Sequence, residues 1–336
     1  MKKSNLTIRT GFVELDKLTG GLNGGDLVCI ASRPSMGKTA LAQNIAAHVA
    51  FKKRIPVLFF SLDLNRYSLV QRLIAAEAKV NLKDIRTGYF RRDRWQDLTT
   101  AAERFCDVPL YINDSPGIDS AELKFVTHEV IGLMECLFQN KTKDVAARST
   151  ETALRTNGRP AMAVADIRVI VHRLQSQLRQ ELSKEFGLVV IDSVQSLRGT
   201  SRGEARQHEL SEISHDLKGL ARELEIPVIA LAQLSSAWED KTRTDNKPML
   251  SDLSESGSLE QDADLVALIH CPGYYKRNDP TLEDKAEIIV AKNPRGKTGT
   301  VTMKFESEYV KFSAWSDPCP PEQGPYFPEH GPFAPF

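Results

Sequence analysis

The sequence contains no apolar run approaching the roughly 18 residues that a membrane-spanning helix needs. The basic start Met1-Lys2-Lys3 is followed by Ser4-Asn5-Leu6-Thr7 rather than by an apolar segment, so no secretory leader is expected. Cysteine is sparse and scattered: Cys29, Cys106, Cys136, Cys271 and Cys319 form no Cys-x-x-Cys pair, and their number is odd. That spacing argues against a zinc site or a disulfide framework and fits a reducing cytoplasm. An excess of either charge is also missing, because 44 Lys and Arg balance 44 Asp and Glu. A general basic coat for nucleic acid is thereby excluded, and any contact with DNA must be local or created by assembly.

What remains is an ordinary globular composition of 336 residues, 41% hydrophobic and 26% charged. Short apolar runs at 26–31, 57–60, 109–112, 188–191, 227–231, 265–269 and 288–291 alternate with helix-like segments such as 68–78 and 165–186. This order predicts an α/β fold, a mostly parallel twisted sheet with helices on both faces. Residues 299–312 alternate differently, with Val301, Met303 and Phe305 on one side, and predict an antiparallel C-terminal edge. Residues 1–9 read as a short arm and 10–316 as the folded domain, interrupted by an insertion near 124–162 whose part 140–160 is polar and weakly periodic. The end of the chain, 317–336, is rich in proline and aromatics and is expected to be disordered or polyproline-like. His208 and His215 share a predicted helix but have no carboxylate or cysteine pattern around them, so they are read as packing or surface residues.

The run Ser32-Arg33-Pro34-Ser35-Met36-Gly37-Lys38-Thr39-Ala40 lies between a predicted strand and a predicted helix. Converging backbone N–H groups at the positive end of a helix are what a phosphate needs. Gly37 permits close backbone approach, Lys38 reaches the β- and γ-phosphates, and Thr39 offers its hydroxyl to magnesium. Serine stands at position 32, where this loop ordinarily opens with glycine. ATP and Mg2+ are the expected ligands. Partners belong at the carboxyl ends of neighbouring strands. Asp192 is placed to hold the metal, Asp63 to polarise an attacking water and Gln233 to sense the γ-phosphate.

Residues 10–22 (TGFVELDKLTGGL), 31–40 (ASRPSMGKTA), 59–62 (FFSL) and above all 247–264 (KPMLSDLSESGSLEQDAD) resemble the C-terminal motor domain of DnaB-type replicative helicases, with its RecA-like P-loop core. The resemblance runs from Thr10 to Trp315, interrupted near 124–162, and does not extend to the family's N-terminal helical domain. It implies a hexameric ring that hydrolyses ATP at subunit interfaces and draws single-stranded DNA through its channel, working with other replication proteins. By resemblance, Arg198, Arg202 and the segment holding Ser254, Glu255 and Gly257 face DNA. A backbone-tracking contact of that kind needs amide donors and a few cations. Lys292 stands where the family places a lysine that reaches the neighbouring active site. Pro294 occupies the position of the companion arginine, and Arg295 follows one residue later. Asp63 replaces the family's glutamate, and Ser254 replaces an arginine. Two readings stay open: a DNA-stimulated motor, and a RecA-like ATP-binding regulatory or assembly module with weak hydrolysis and no unwinding. A filament-forming recombinase is a third.

Overall fold

A computed structural model describes residues 7–89, 91–105, 107–114, 130–131, 133–134, 162–199, 206–234, 246–276 and 279–316. The expected tail at 317–336 and nearly all of the expected insertion lie outside these residues.

The apolar runs of the sequence become strands because each can bury both faces. Strands β1 (Thr7–Ile8) and β2 (Leu22–Asn23) form a small antiparallel pair around helix α1 (Val13–Thr19). The central sheet contains β3 (Leu27–Ser32), β4 (Val57–Ser61), β5 (Leu110–Asn113), β7 (Leu188–Asp192), β9 (Val228–Gln233), β10 (Leu265–His270), β11 (Lys285–Lys292), β12 (Gly299–Glu306) and β13 (Lys311–Ala314). Its spatial order is β13-β12-β11-β10-β3-β9-β7-β4-β5, nine strands in all. From β10 to β5 every neighbouring pair is parallel. A separate two-stranded pair joins β6 (Met162–Ala163) to β8 (Leu197–Arg198).

Alternate residues of the parallel strands enter two cores. Val28, Ile30, Phe59, Val190 and Ile229 face one side, with helices α2 (Lys38–Lys53), α3 (Arg66–Ala78), α4 (Leu82–Thr87) and α5 (Trp95–Phe105). Leu27, Cys29, Phe60, Ile191 and Ala230 face the other, with α6 (Val164–Leu182), α7 (Arg206–Leu224) and α8 (Gly257–Asp262). Of the expected insertion, Val130 and Leu133 are buried in the first core. Helix starts follow local chemistry: Asn65 Oδ1 accepts from Ser68 N at 2.7 Å ahead of α3, and Asp166 reaches back to Ala163 N at 2.9 Å at the start of α6.

One expectation needs correction. The apolar pattern groups 288–291 with the parallel strands, yet β11 pairs antiparallel with β10, so the antiparallel part begins one strand earlier than the predicted edge. Among the described residues, the connection from β10 to β11 contains the single-turn helix α9 (Pro272–Tyr275) and a 3-10 turn, and at 14 residues (271–284) it is too short for a helical crossover. The alternating burial of β11 agrees with a strand covered on one face.

Candidate active site

Residues 33–37 carry the chain from β3 into α2. Ser32 closes β3 in ordinary extended conformation and is buried, with its hydroxyl donating to Arg33 O at 2.8 Å. A serine suffices there because only Ser35 (φ +66°) and Gly37 (φ +84°) of this loop take left-handed backbone. A Cβ on Gly37 would approach Phe305 Cζ to 2.8 Å, so two constraints demand glycine at that point. Helix α2 begins immediately afterwards, with no acidic residue in its first turn and no side-chain cap. Its first N–H groups therefore point toward the loop without an internal acceptor, the arrangement that binds anions. Arg33 Nη1 donates to Tyr275 OH at 3.0 Å.

Lys38 and Thr39 open α2 facing the end of β7. Thr39 Oγ1 donates to Asp192 Oδ2 at 2.7 Å, and Lys38 Nζ lies 4.0 Å from Asp192 Oδ1. Asp192 is 1% exposed. Burial pushes its carboxyl above the ordinary aspartate range, with nearby Asp63 adding to the effect; Lys38, Thr39 and Arg72 oppose it. A hydroxyl and a carboxylate this close form a hard oxygen pair suited to Mg2+. Asp192 Oδ1, buried with no hydrogen-bond partner among the described residues, is a donor left for such an ion. Asp63, just beyond β4, accepts a hydrogen bond from the Ser196 hydroxyl. Gln233 ends β9; its carbonyl accepts from Gln195 Nε2 at 3.1 Å, and the residue borders a cavity of about 270 Å³ with Lys38 and Thr39.

Arg72 borders the same cavity, and the sequence reading missed it. It projects from α3, and its Nε is buried without a hydrogen-bond partner among the described residues. Burial is the main influence on it, lowering its pKa from the ordinary arginine value, and the Arg86 charge acts in the same direction. The available signal was an arginine between Val70 and Leu73, two buried positions of the predicted helix. A buried cation with an open donor is costly until an anion reaches it.

The remaining expected residues lie elsewhere. Lys292 pairs with Val266 at the start of β10, whereas the phosphate loop leaves β3 at the other end of the sheet. Val266 is level with Cys29, so Lys292 lies three residue steps, about 10 Å along the strands, from Ser32, and two strand spacings of about 5 Å each to the side. Lys292 Nζ donates to Glu260 O at 2.7 Å and Gln261 O at 2.8 Å, tying down the end of α8. Arg295 Nη1 is 2.9 Å from Asp26 Oδ1. Arg198 is exposed on β8, with Nη2 3.9 Å from Asp166 Oδ2. Ser254 and Glu255 fall in the 3-10 segment Leu250–Ser256, and Gly257 opens α8. This stretch is anchored by the buried Leu253 and Leu259 on either side. Arg202 lies outside the described residues. His208 and His215 are exposed on α7, and no cluster of three metal-binding side chains occurs among the described residues. No helix among the described residues is long and apolar enough to cross a membrane.

A mostly parallel sheet with a phosphate loop after one strand and a buried aspartate ending another, two places along, defines the RecA-like P-loop class. Comparison with known proteins narrows this. The DnaB-like helicase C terminal domain family matches over residues 7–136 and 132–314, and the chain belongs to that family. It is 39% identical to the replicative DNA helicase DnaB of Geobacillus stearothermophilus over 91% of this chain and 56% of that protein. The chain thus spans little more than half the length of that relative. Among solved structures, an isolated ATPase domain superposes with a TM-score of 0.73 at 29% identity, covering 94% of this chain and 93% of that one. A DnaB-like replicative helicase solved for its interactions with primase gives the same score and identity over 94% of this chain and 63% of its own.

Proposed function

We propose that this chain is the ATP-hydrolysing motor of a DnaB-type helicase that moves along single-stranded DNA during replication. The observation that carries the reading is the meeting of Lys38, Thr39 and Asp192 at the unopposed N-terminus of α2. There, the loop amides from Ser35 to Thr39 hold the phosphates, the Lys38 ammonium neutralises the β- and γ-oxygens, and Arg72 supplies a second cation from α3. Thr39 and Asp192 would hold Mg2+, which would offset negative charge on the transferring phosphoryl group. Asp63 orients the attacking water, and Gln233 senses the γ-phosphate.

Lys292 and Arg295 cannot reach this site from their own edge of the sheet. Their role in hydrolysis is therefore on the nucleotide of a second copy, which supports a ring of subunits. DNA contacts come from Arg198, Arg202 and the backbone amides of 254–257. The structural relative solved with primase supports docking to another replication protein, and a replicative role places the protein in the cytoplasm.

Steady-state ATP turnover with and without single-stranded DNA tests the reading. DNA should stimulate turnover severalfold, and Lys38→Ala should reduce it by about 10²-fold or more. Tight ATP binding with negligible turnover in both conditions would instead establish the regulatory module.

A further inference from the structure

We propose that Ser196 is a positioning residue for hydrolysis, its hydroxyl holding the Asp63 carboxylate in place for the attacking water, a role that rests on the ATPase reading above. An aspartate keeps its carboxylate one methylene closer to its own backbone than a glutamate does, so where Asp63 points depends on what holds it. Asp63 is exposed just beyond β4, and the Asp192 charge repels it. Left alone, an exposed carboxylate of that kind samples several rotamers and turns toward solvent.

The backbone on both sides of Asp63 is already fixed. Leu62 N donates to Asp192 O at 2.6 Å, and Ser61 Oγ donates to Leu64 O at 2.6 Å. What remains to be set is the side chain, and among the described residues the one hydrogen-bond partner of its carboxylate is Ser196. A carboxylate only accepts, so the Ser196 hydroxyl gives its single proton to Asp63 Oδ1. The bond between Ser193 Oγ and Ser196 Oγ, at 3.2 Å, must then run from Ser193 to Ser196. Asp63 Oδ2 is left to accept from a water.

Ser196 can serve as an anchor because its own turn is well held. It closes the 3-10 turn Val194–Ser196, where Ser196 N donates to Ser193 O at 3.1 Å. Val194 and Leu197, on either side, are buried in the second core. Gln195 Nε2 reaches Gln233 O, and Arg206 Nη2 donates to Gln195 O at 2.8 Å. Ser193 is itself buried and follows Asp192 directly. One turn therefore links the metal-binding carboxylate, the expected γ-phosphate sensor and the water-orienting carboxylate.

Steady-state ATP turnover with single-stranded DNA is measured for the wild type, Ser196→Ala, Ser196→Cys, Ser196→Thr, Asp63→Glu and the Ser196→Ala, Asp63→Glu double variant. Ser196→Ala should lower kcat about tenfold and leave KM for ATP within about twofold, because orientation of the water is lost and ground-state binding is not. Ser196→Thr keeps the hydroxyl and should keep at least about half of the wild-type kcat, whereas Ser196→Cys, a weak donor of similar size, should fall as far as Ser196→Ala. In the Asp63→Glu background the longer side chain carries its carboxylate past Ser196, so adding Ser196→Ala should change kcat by less than about twofold. An unchanged kcat in Ser196→Ala, an equal loss in both backgrounds, or a loss in Ser196→Thr as large as in Ser196→Ala overturns the role of Ser196 while leaving the ATPase reading intact. Absence of turnover in the wild type overturns the ATPase reading along with it.

Discussion

At the residue scale, burial works against the charges of Asp192 and Arg72. Asp192 is buried and its carboxyl pKa is raised, so the folded chain holds a proton more tightly than the unfolded chain does. The associated stability is fully present below the unfolded aspartate pKa and is lost as pH rises through the higher folded one. Binding of Mg2+ requires the carboxylate, so Mg·ATP affinity should fall on acidification through that raised pKa. Asp192→Asn keeps an acceptor for Thr39 while removing the buried charge. It should raise the apo-protein Tm by about 1–3 °C and abolish Mg2+-dependent turnover; thermal melting and an ATPase assay check both. Arg72→Met tests the missed cation in the same way. We expect turnover to fall by about 10- to 100-fold while apo stability is unchanged or higher, because a buried Nε with no partner among the described residues is removed.

At the element scale, the phosphate loop keeps its shape because the strands beside it are fixed at both ends. Asp264 lies just ahead of β10 and accepts from Leu27 N at 2.8 Å and from Lys218 Nζ at 2.5 Å, joining β3, α7 and β10. Lys218 also donates to Gly25 O at 2.8 Å and is only 8% exposed. Asp264→Ala strands that ammonium in the interior and should cost about 3–5 kcal/mol, measured as a lowered urea midpoint. Lys218→Met, which removes the charge and keeps the packing, should cost less. The hairpin of β12 and β13 acts on the other side of the loop: Phe305 and Phe312 stack with ring centroids 4.4 Å apart and press against Gly37.

At the scale of the whole molecule, the phosphate loop and the Lys292–Arg295 stretch lie toward opposite ends of the sheet's strands. The phosphate loop leaves the carboxyl end of β3, while Lys292 and Arg295 lie near the start of β10. Mixing two inactive variants tests whether they meet between copies. Lys38→Ala retains the lysine at 292, and Lys292→Ala retains the phosphate loop. Their mixture should recover ATP turnover that neither shows alone, because mixed interfaces contain one intact set of groups. No recovery in assembled mixtures would count against hydrolysis across the interface. The bond from Lys292 to the end of α8 also links the expected cation to the expected DNA segment within a single chain.

The sequence alone determined the elements that depend on neighbours along the chain. Fully buried strands read as apolar runs, and the phosphate loop as a Gly-Lys-Thr between strand and helix, even with Ser32 in place of glycine. The positions of Lys38, Thr39 and Asp192 could be named in advance because each sits at a strand end or helix start. Only the tertiary structure decided what depends on strand order: the antiparallel turn at β11, the approach of Arg72 from α3, and the separation of Lys292 from its own phosphate loop. Spacing along a chain carries no record of which edges of a sheet become neighbours, and an arginine's place among apolar residues does not say which cavity its side chain enters. Those facts arise from packing, where residues distant in sequence share one interior.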